Sequence, residues 1–329
     1  MATVQTVLGS IDAGDLGPTL VHEHVLMSYP GAALDPNSTW DRAACVETAV
    51  LRMKELQEFG VRTFVDMTVI EARRDVTMLP EIAERSGMQI VCATGFYIEH
   101  IGIPFYWRNR VQDEITELYL HEIENGIGST GVKPGAIKIA IGDPPTDQEQ
   151  KVIAAAAVAS RESGLSVISH CENAKGWDVQ LDILQENGVD LSRCLIGHQD
   201  QAQSSEQLLL IIERGAFAGI DRIGFEALVP EDTRVGLIRD VLDAGHADRL
   251  CLSMDHACCS DSPRFPYWVP DGLRDSFEQT MRSAVEEQMW NRPYTYLFTD
   301  FIPRLEAAGV ERPRIDSMLS DNPRRLFGG

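Results

Sequence analysis

Eight short runs of β-branched or apolar residues, separated mostly by longer segments of helical period, predict an α/β fold. Alternation of strand and helix calls for parallel strands with crossover helices, and eight repeats imply closure into a (β/α)8 TIM barrel. No Gly-rich phosphate turn follows the first run, which argues against an open doubly wound sheet. The strands are expected at Thr19–His22, Thr63–Met67, Ile90–Gly95, Ala136–Ala140, Ser166–His170, Cys194–His198, Ala216–Ile220 and Leu250–Met254. Helical period covers Cys45–Phe59, Met78–Ser86, Gln148–Ser163, Val179–Asn187, Ser205–Arg214 and Thr233–Ala244. Gly60, Gly87, Gly164, Gly188, Gly215 and Gly245 stand at stop positions. The longest aperiodic stretch follows strand eight, from His256 to Asn291. It holds Pro263, Phe265, Pro266, Tyr267, Trp268, Pro270 and Trp290, and reads as an ordered cap loop. Asn291–Leu305 then reads as the last barrel helix, and Asp316–Leu319 as a short final helix before the Asn322–Arg325 tail. No break in composition divides residues 1–329, so one domain is expected.

The composition is that of a globular protein, 44% hydrophobic and 24% charged over 329 residues. Lys and Arg number 29 against 50 Asp and Glu, a formal net charge of −21. Such a surface repels nucleic acid and anionic membranes and suits a neutral or cationic substrate, or serves solubility alone. Seven cysteines are scattered without the spacing of a zinc knuckle or redox motif, which reads as reduced, mostly buried thiols in the cytosol. Met1–Val7 lacks the basic start and apolar core of a signal peptide, and no run of about 18 apolar residues suggests a membrane span.

The chemistry gathers at strand ends. His22 and His24 stand one residue apart in Leu20–His24, so on a strand of period two they share a face. Lys138 lies in the fourth strand, His170 and His198 end the fifth and sixth, and Asp255 follows the eighth. In a barrel this rim carries the functional residues. Imidazole and carboxylate suit zinc and related divalent ions. A lysine among them fits if burial makes it neutral, because a neutral amine adds carbon dioxide to give an anionic carbamate able to bridge two cations.

The order His-x-His, Lys, His, His, Asp resembles the phosphotriesterase branch of the amidohydrolase superfamily, from about Val4 to Phe327. Leu20–His24, Gly95–Tyr97, Leu191–Arg193, Ile196–His198, Gly219–Arg222 and Asp321–Phe327 all look like stretches of that branch. Tyr97 and Arg222 resemble residues of its phosphotriesterase-like lactonases. Departures fall at Gln199–Gln201, at Glu226 and in a longer segment after Asp255; they leave the ligand pattern intact and bear on the substrate.

The resemblance implies a binuclear centre. His22, His24 and Asp255 would hold the buried ion and His170 and His198 the exposed one, with N6-carboxylated Lys138 and hydroxide between them. Zinc is the default metal; cobalt, iron or manganese would accept the same ligands. It also implies a homodimer. The expected reaction is hydrolysis of a lactone ring, with Asp255 taking the proton of the attacking hydroxide and passing it to the leaving alkoxide. Tyr97 would steer the ring, Arg222 would order the seventh-strand loop, and Phe96 and Trp268 would enclose an acyl tail. N-acyl homoserine lactones, the substrates of quorum quenching, fit this description, with weak phosphotriester hydrolysis beside it. Three alternatives stay open: a dedicated phosphotriesterase, another ester or amide hydrolase, and a barrel that holds metal without turnover. Glu23 is expected to be structural, and His100, His121, His246 and His256 to lie outside the site; a structural ion pair of Arg222 with Asp221 or Glu226 is the alternative to its loop-ordering role and compatible with it.

Overall fold

The computed structural model describes every residue but 1, 39, 262–270 and 281. A two-stranded antiparallel hairpin, β1 (Thr3–Thr6) and β2 (Gly9–Asp12), opens the chain. The eight predicted strands follow as β3 (Thr19–Leu26), β4 (Thr63–Asp66), β5 (Gln89–Gly95), β6 (Ala136–Ile141), β7 (Ser166–Cys171), β8 (Cys194–Ile196), β9 (Phe217–Ile220) and β10 (Leu250–Leu252). Each pairs in parallel with the next. A short β11 (Ala257–Cys259) pairs with β3. Between β10 and β11, Asp255 N–H donates to His22 O at 3.0 Å and His24 N–H donates to His256 O at 2.8 Å. The final strand thus leaves β9, crosses to β3 and closes the ring.

Alternate strand residues divide the core in two. Val21, Val65, Val91, Ala93, Ala136, Ile168, Leu195, Phe217 and Cys251 fill the barrel, plugged by Val4, Leu326 and Phe327 from the chain ends. Leu20, Phe64, Ile90, Ile137, Val167, Ile196, Ala218 and Leu250 face outward onto the helices. Each fully buried Val, Leu, Ile or Phe among them contributes about 2 kcal/mol. The helices begin and end where local chemistry directs. Asp41 caps Arg42–Glu58 by accepting from Ala43 N and Ala44 N, and Thr146 with Glu149 forms a capping box on Asp147–Ser163. All six stop glycines hold φ between 76° and 98°, a region closed to most side chains.

Several sequence expectations need correction. β3 runs four residues past His22, to Leu26. The stretch after Asp255 is not aperiodic throughout: it supplies β11 and the helices Asp271–Thr280 and Arg282–Trp290. A helix at Gln112–Asn125 completes the crossover from β5 to β6. The segment read as a last barrel helix is shorter, Leu297–Phe301 continuing as Ile302–Ala307. The final helix spans Arg312–Leu319, and the tail itself is helical at Asp321–Gly328. All seven cysteines are free thiols, five of them buried. Among the described residues no helix is long and apolar enough to cross a membrane.

Candidate metal centre

Inward-facing positions become polar toward the C-terminal strand ends. Ala136 and Ile168 lie inside the barrel, and two residues on stand Lys138 and His170. On β9 the same alternation runs Phe217, Gly219, Asp221. β3 breaks the period. Its register against β4 slips between Leu20 and Glu23, so Val21 lies inside and His22 and His24 follow it inward. His198 and Asp255 sit just beyond β8 and β10 with φ of 60° and 48°. Left-handed backbone at a residue other than glycine costs about 1–3 kcal/mol and is held at functional sites by what surrounds it.

The four imidazoles share one arrangement. His22 Nδ1 lies 2.7 Å from Asp221 Oδ2, and His198 Nδ1 lies 2.8 Å from Asp221 Oδ1. His24 Nδ1 lies 2.8 Å from Thr68 Oγ1, whose own proton goes to Asp66 at 2.6 Å. His170 Nε2 lies 2.9 Å from Glu172 Oε2. Each ring therefore donates one N–H outward to an oxygen acceptor, which fixes its tautomer and turns a bare nitrogen inward. The inward atoms crowd together. His170 Nδ1 and His198 Nε2 are 2.8 Å apart. His24 Nε2 is 3.1 Å from Asp255 Oδ1. His22 Nε2 is 2.6 Å from Lys138 Nζ and 3.7 Å from Asp255 Oδ1.

Burial keeps this array uncharged where it must be. Desolvation lowers His22 and His198 and takes His170 down to about 4, so the rings are neutral near pH 7. Desolvation also brings Lys138 down to about 8, against the pull of Asp255 and Asp221. Burial opposes the charges of Asp255 and Asp221, but the Arg222 guanidinium beside Asp255 and the two imidazole N–H groups on Asp221 favour the carboxylates, and both stay ionised.

Inward-facing imidazole nitrogens and carboxylate oxygens at such separations are a donor set for cations. His22, His24 and Asp255 form one group able to hold a metal, and His22, His198 and Asp221 another. In the second group both Asp221 oxygens already accept from imidazole N–H groups, so this carboxylate orients ligands rather than joining them. The residues present fit a metal centre.

The model of the phosphotriesterase family matches residues 2–327. The chain belongs to this family. A phosphotriesterase homology protein of Mycobacterium tuberculosis is 34% identical over 338 residues, covering 99% of this chain and 98% of its own. An aryldialkylphosphatase of Saccharolobus solfataricus is 32% identical, covering 97% of each. A solved variant of a PTE-like lactonase from Deinococcus radiodurans superposes with a TM-score of 0.87 at 32% identity, covering 99% of this chain and 100% of that one. The phosphotriesterase family depends on a binuclear metal centre.

Within this family member, all six residues singled out as ligands meet at one end of the barrel. Five are buried, and Asp255 is partly open, its side chain 16% exposed. Tyr97 and Arg222 are also partly open and mark the mouth. Tyr97 OH stands 3.3 Å from both ring nitrogens of His170. Arg222 donates from Nε to Asp255 Oδ2 at 2.9 Å and from Nη1 to Gln201 Oε1 at 2.6 Å. Its carboxylate partner is therefore Asp255, not Asp221 or Glu226. Phe96 is fully buried, with its ring against Trp107 and Tyr119. That leaves it no face for an acyl tail, because core packing has taken it. Trp268 lies outside the described residues. Sequence reasoning missed the outer acceptors Asp221, Glu172 and Thr68. Asp221 was reachable, since strict alternation from Phe217 turns it inward.

Asp221→Asn should cost about ten- to a hundredfold in metal affinity, because an amide cannot accept from both rings through two equivalent oxygens. Cobalt titration of apo-protein measures it. Gly197 gives Asp221 its room: a Cβ there would stand 2.2 Å from Ser169 O and 2.8 Å from Asp221 Oδ2. Gly197→Ala should destabilise the fold by about 1–3 kcal/mol, read from chemical unfolding.

Proposed function

We propose that this protein is a binuclear metal-dependent lactonase acting on neutral N-acyl homoserine lactones, with weak phosphotriesterase activity beside it. The observation that carries the reading is the set of four inward-facing imidazole nitrogens, one ionised carboxylate and one depressed lysine at the barrel mouth. His22, His24 and Asp255 would hold one ion, His170 and His198 the other, and carboxylated Lys138 would join them. Zinc is the expected metal. When bound, the ions supply a water of lowered pKa and a Lewis-acidic contact for the carbonyl oxygen.

The remaining work falls to side chains. Asp255 is ionised and stands at the mouth, so it accepts the proton of the attacking water and returns it to the leaving alkoxide. Arg222 fixes the rotamer of Asp255 through the Nε contact at 2.9 Å. Burial raises Tyr97 well above its ordinary range, so it stays a phenol and donates toward the ring oxygen. The acidic surface and the mouth carboxylates Asp255 and Glu172 disfavour anionic substrates. We also read the assembly as a homodimer working in the cytosol.

The relatives divide by name between phosphatase and lactonase. Tyr97 and Arg222, both at the mouth beside the proposed ligands, favour the lactone. Rates of metal-replete protein on short- and long-chain lactones and on paraoxon decide the matter. Lactone turnover should exceed paraoxon turnover by orders of magnitude; equal or reversed rates would overturn the assignment in favour of a dedicated phosphotriesterase.

A further inference from the structure

Glu23 stands between His22 and His24, on the opposite side of the strand. It is fully buried, and its carboxylate collects donors from the segment around Asp255. Oε1 accepts from Ser253 Oγ at 2.7 Å and from Met254 N–H at 2.7 Å, and Oε2 accepts from His256 N–H at 3.0 Å. The two backbone donors flank Asp255, whose φ is 48°. Asp255 N–H is taken by His22 O at 3.0 Å, and Ser253 Oγ accepts from His22 N–H at 3.0 Å. From behind, Arg292 Nη2 donates to Met254 O at 2.7 Å, and Tyr294 OH reaches His24 O and His256 O.

We propose that Glu23 is the positioning residue for Asp255. It holds the backbone N–H groups of the residues on either side of one strained residue, and this aims the Asp255 carboxylate at His24 while leaving its other oxygen for Arg222. Three hydrogen bonds converge on this one buried side chain, and together they hold a left-handed aspartate that the chain would otherwise relax. The same carboxylate links the strand bearing the two histidines to the strand bearing the aspartate. Ligands remote in sequence are thereby held in register by a residue that touches no ion. The inference rests on the reading that Asp255 is a ligand.

The test titrates apo-protein with cobalt(II) alone and follows its visible absorption, for wild type, Glu23→Gln, Ser253→Ala and Asp255→Asn. Glu23→Gln should weaken cobalt binding about ten- to a hundredfold and alter the cobalt spectrum. It should also lower kcat with KM little changed. Ser253→Ala, which removes one of the three donors, should show a smaller change of the same kind. Wild-type affinity and spectrum in Glu23→Gln would overturn the proposal, even if its melting temperature falls, because that is the mark of a merely structural residue. If Glu23→Gln does not fold, Ser253→Ala decides: unaltered cobalt binding there overturns it. Asp255→Asn separates the two readings. If it binds cobalt with wild-type affinity and spectrum, the ligand assignment has failed; if it differs while Glu23→Gln does not, only the positioning role has failed.

Discussion

Asp255→Asn should lower kcat about 10²- to 10⁴-fold while the protein keeps much of its metal. Asparagine preserves the shape of the side chain and one oxygen acceptor but cannot take up a proton at that oxygen. Despite burial the wild-type carboxylate stays well below its ordinary range, with the Arg222 guanidinium 2.9 Å away, so it is ionised at neutral pH. It is also the one proposed ligand appreciably open to the mouth, with 16% of its side chain exposed. Steady-state kinetics beside metal analysis of the same preparation checks this. A fully active variant would remove Asp255 from the proton path.

Lys138→Ala should leave at most one tightly held ion per chain and cost about a hundredfold or more in activity. Nζ lies 2.6 Å from His22 Nε2 inside the barrel. Its pKa of about 8 leaves about a tenth of the side chain as free amine at pH 7. That neutral amine can add carbon dioxide: an N–C bond forms and one proton leaves, so the position becomes −1 where the ammonium form, which must first lose a proton of its own, carries +1. The variant removes the change of sign with the side chain. Acetate or propionate should restore part of the lost activity by filling the space with a two-oxygen anion. A variant with two ions and full turnover would show that Lys138 plays no bridging part.

Much of the barrel was legible because its strands are buried on both faces and its helices are punctuated. Runs such as Ala136–Ala140 and Ser166–His170 are continuous apolar stretches, and the six stop glycines all adopt the left-handed turn expected of them. β11 and the β1–β2 hairpin were not legible, because they lack the continuous apolar run of the equally short β4, β8, β9 and β10 and take their pairing from a neighbour. The proposed ligand set could be read because its members are chemically conspicuous and end successive strands. Of its supports, Asp221 was within reach of strand alternation, but Glu172 and Thr68 matter only through the nitrogen each one faces, a relation that spacing does not encode. Phe96 erred in the other direction: an aromatic next to a functional tyrosine suggests a pocket wall, but strand parity sends its ring into the helix layer. The alternative that paired Arg222 with Asp221 or Glu226 gives way to Asp255, because strand alternation turns Arg222 and Asp221 to different partners.

The central claim is that six side chains from β3, β6, β7 and the ends of β8 and β10 hold two cations joined through a modified Lys138. Anomalous diffraction from crystals of cobalt-loaded protein, recorded at the cobalt edge, tests it in one measurement. Two peaks should appear, one beside His22, His24 and Asp255 and one beside His170 and His198, with density for a carboxylate on Lys138 Nζ between them. A single peak, or two peaks with an unmodified Lys138 side chain, would contradict the account.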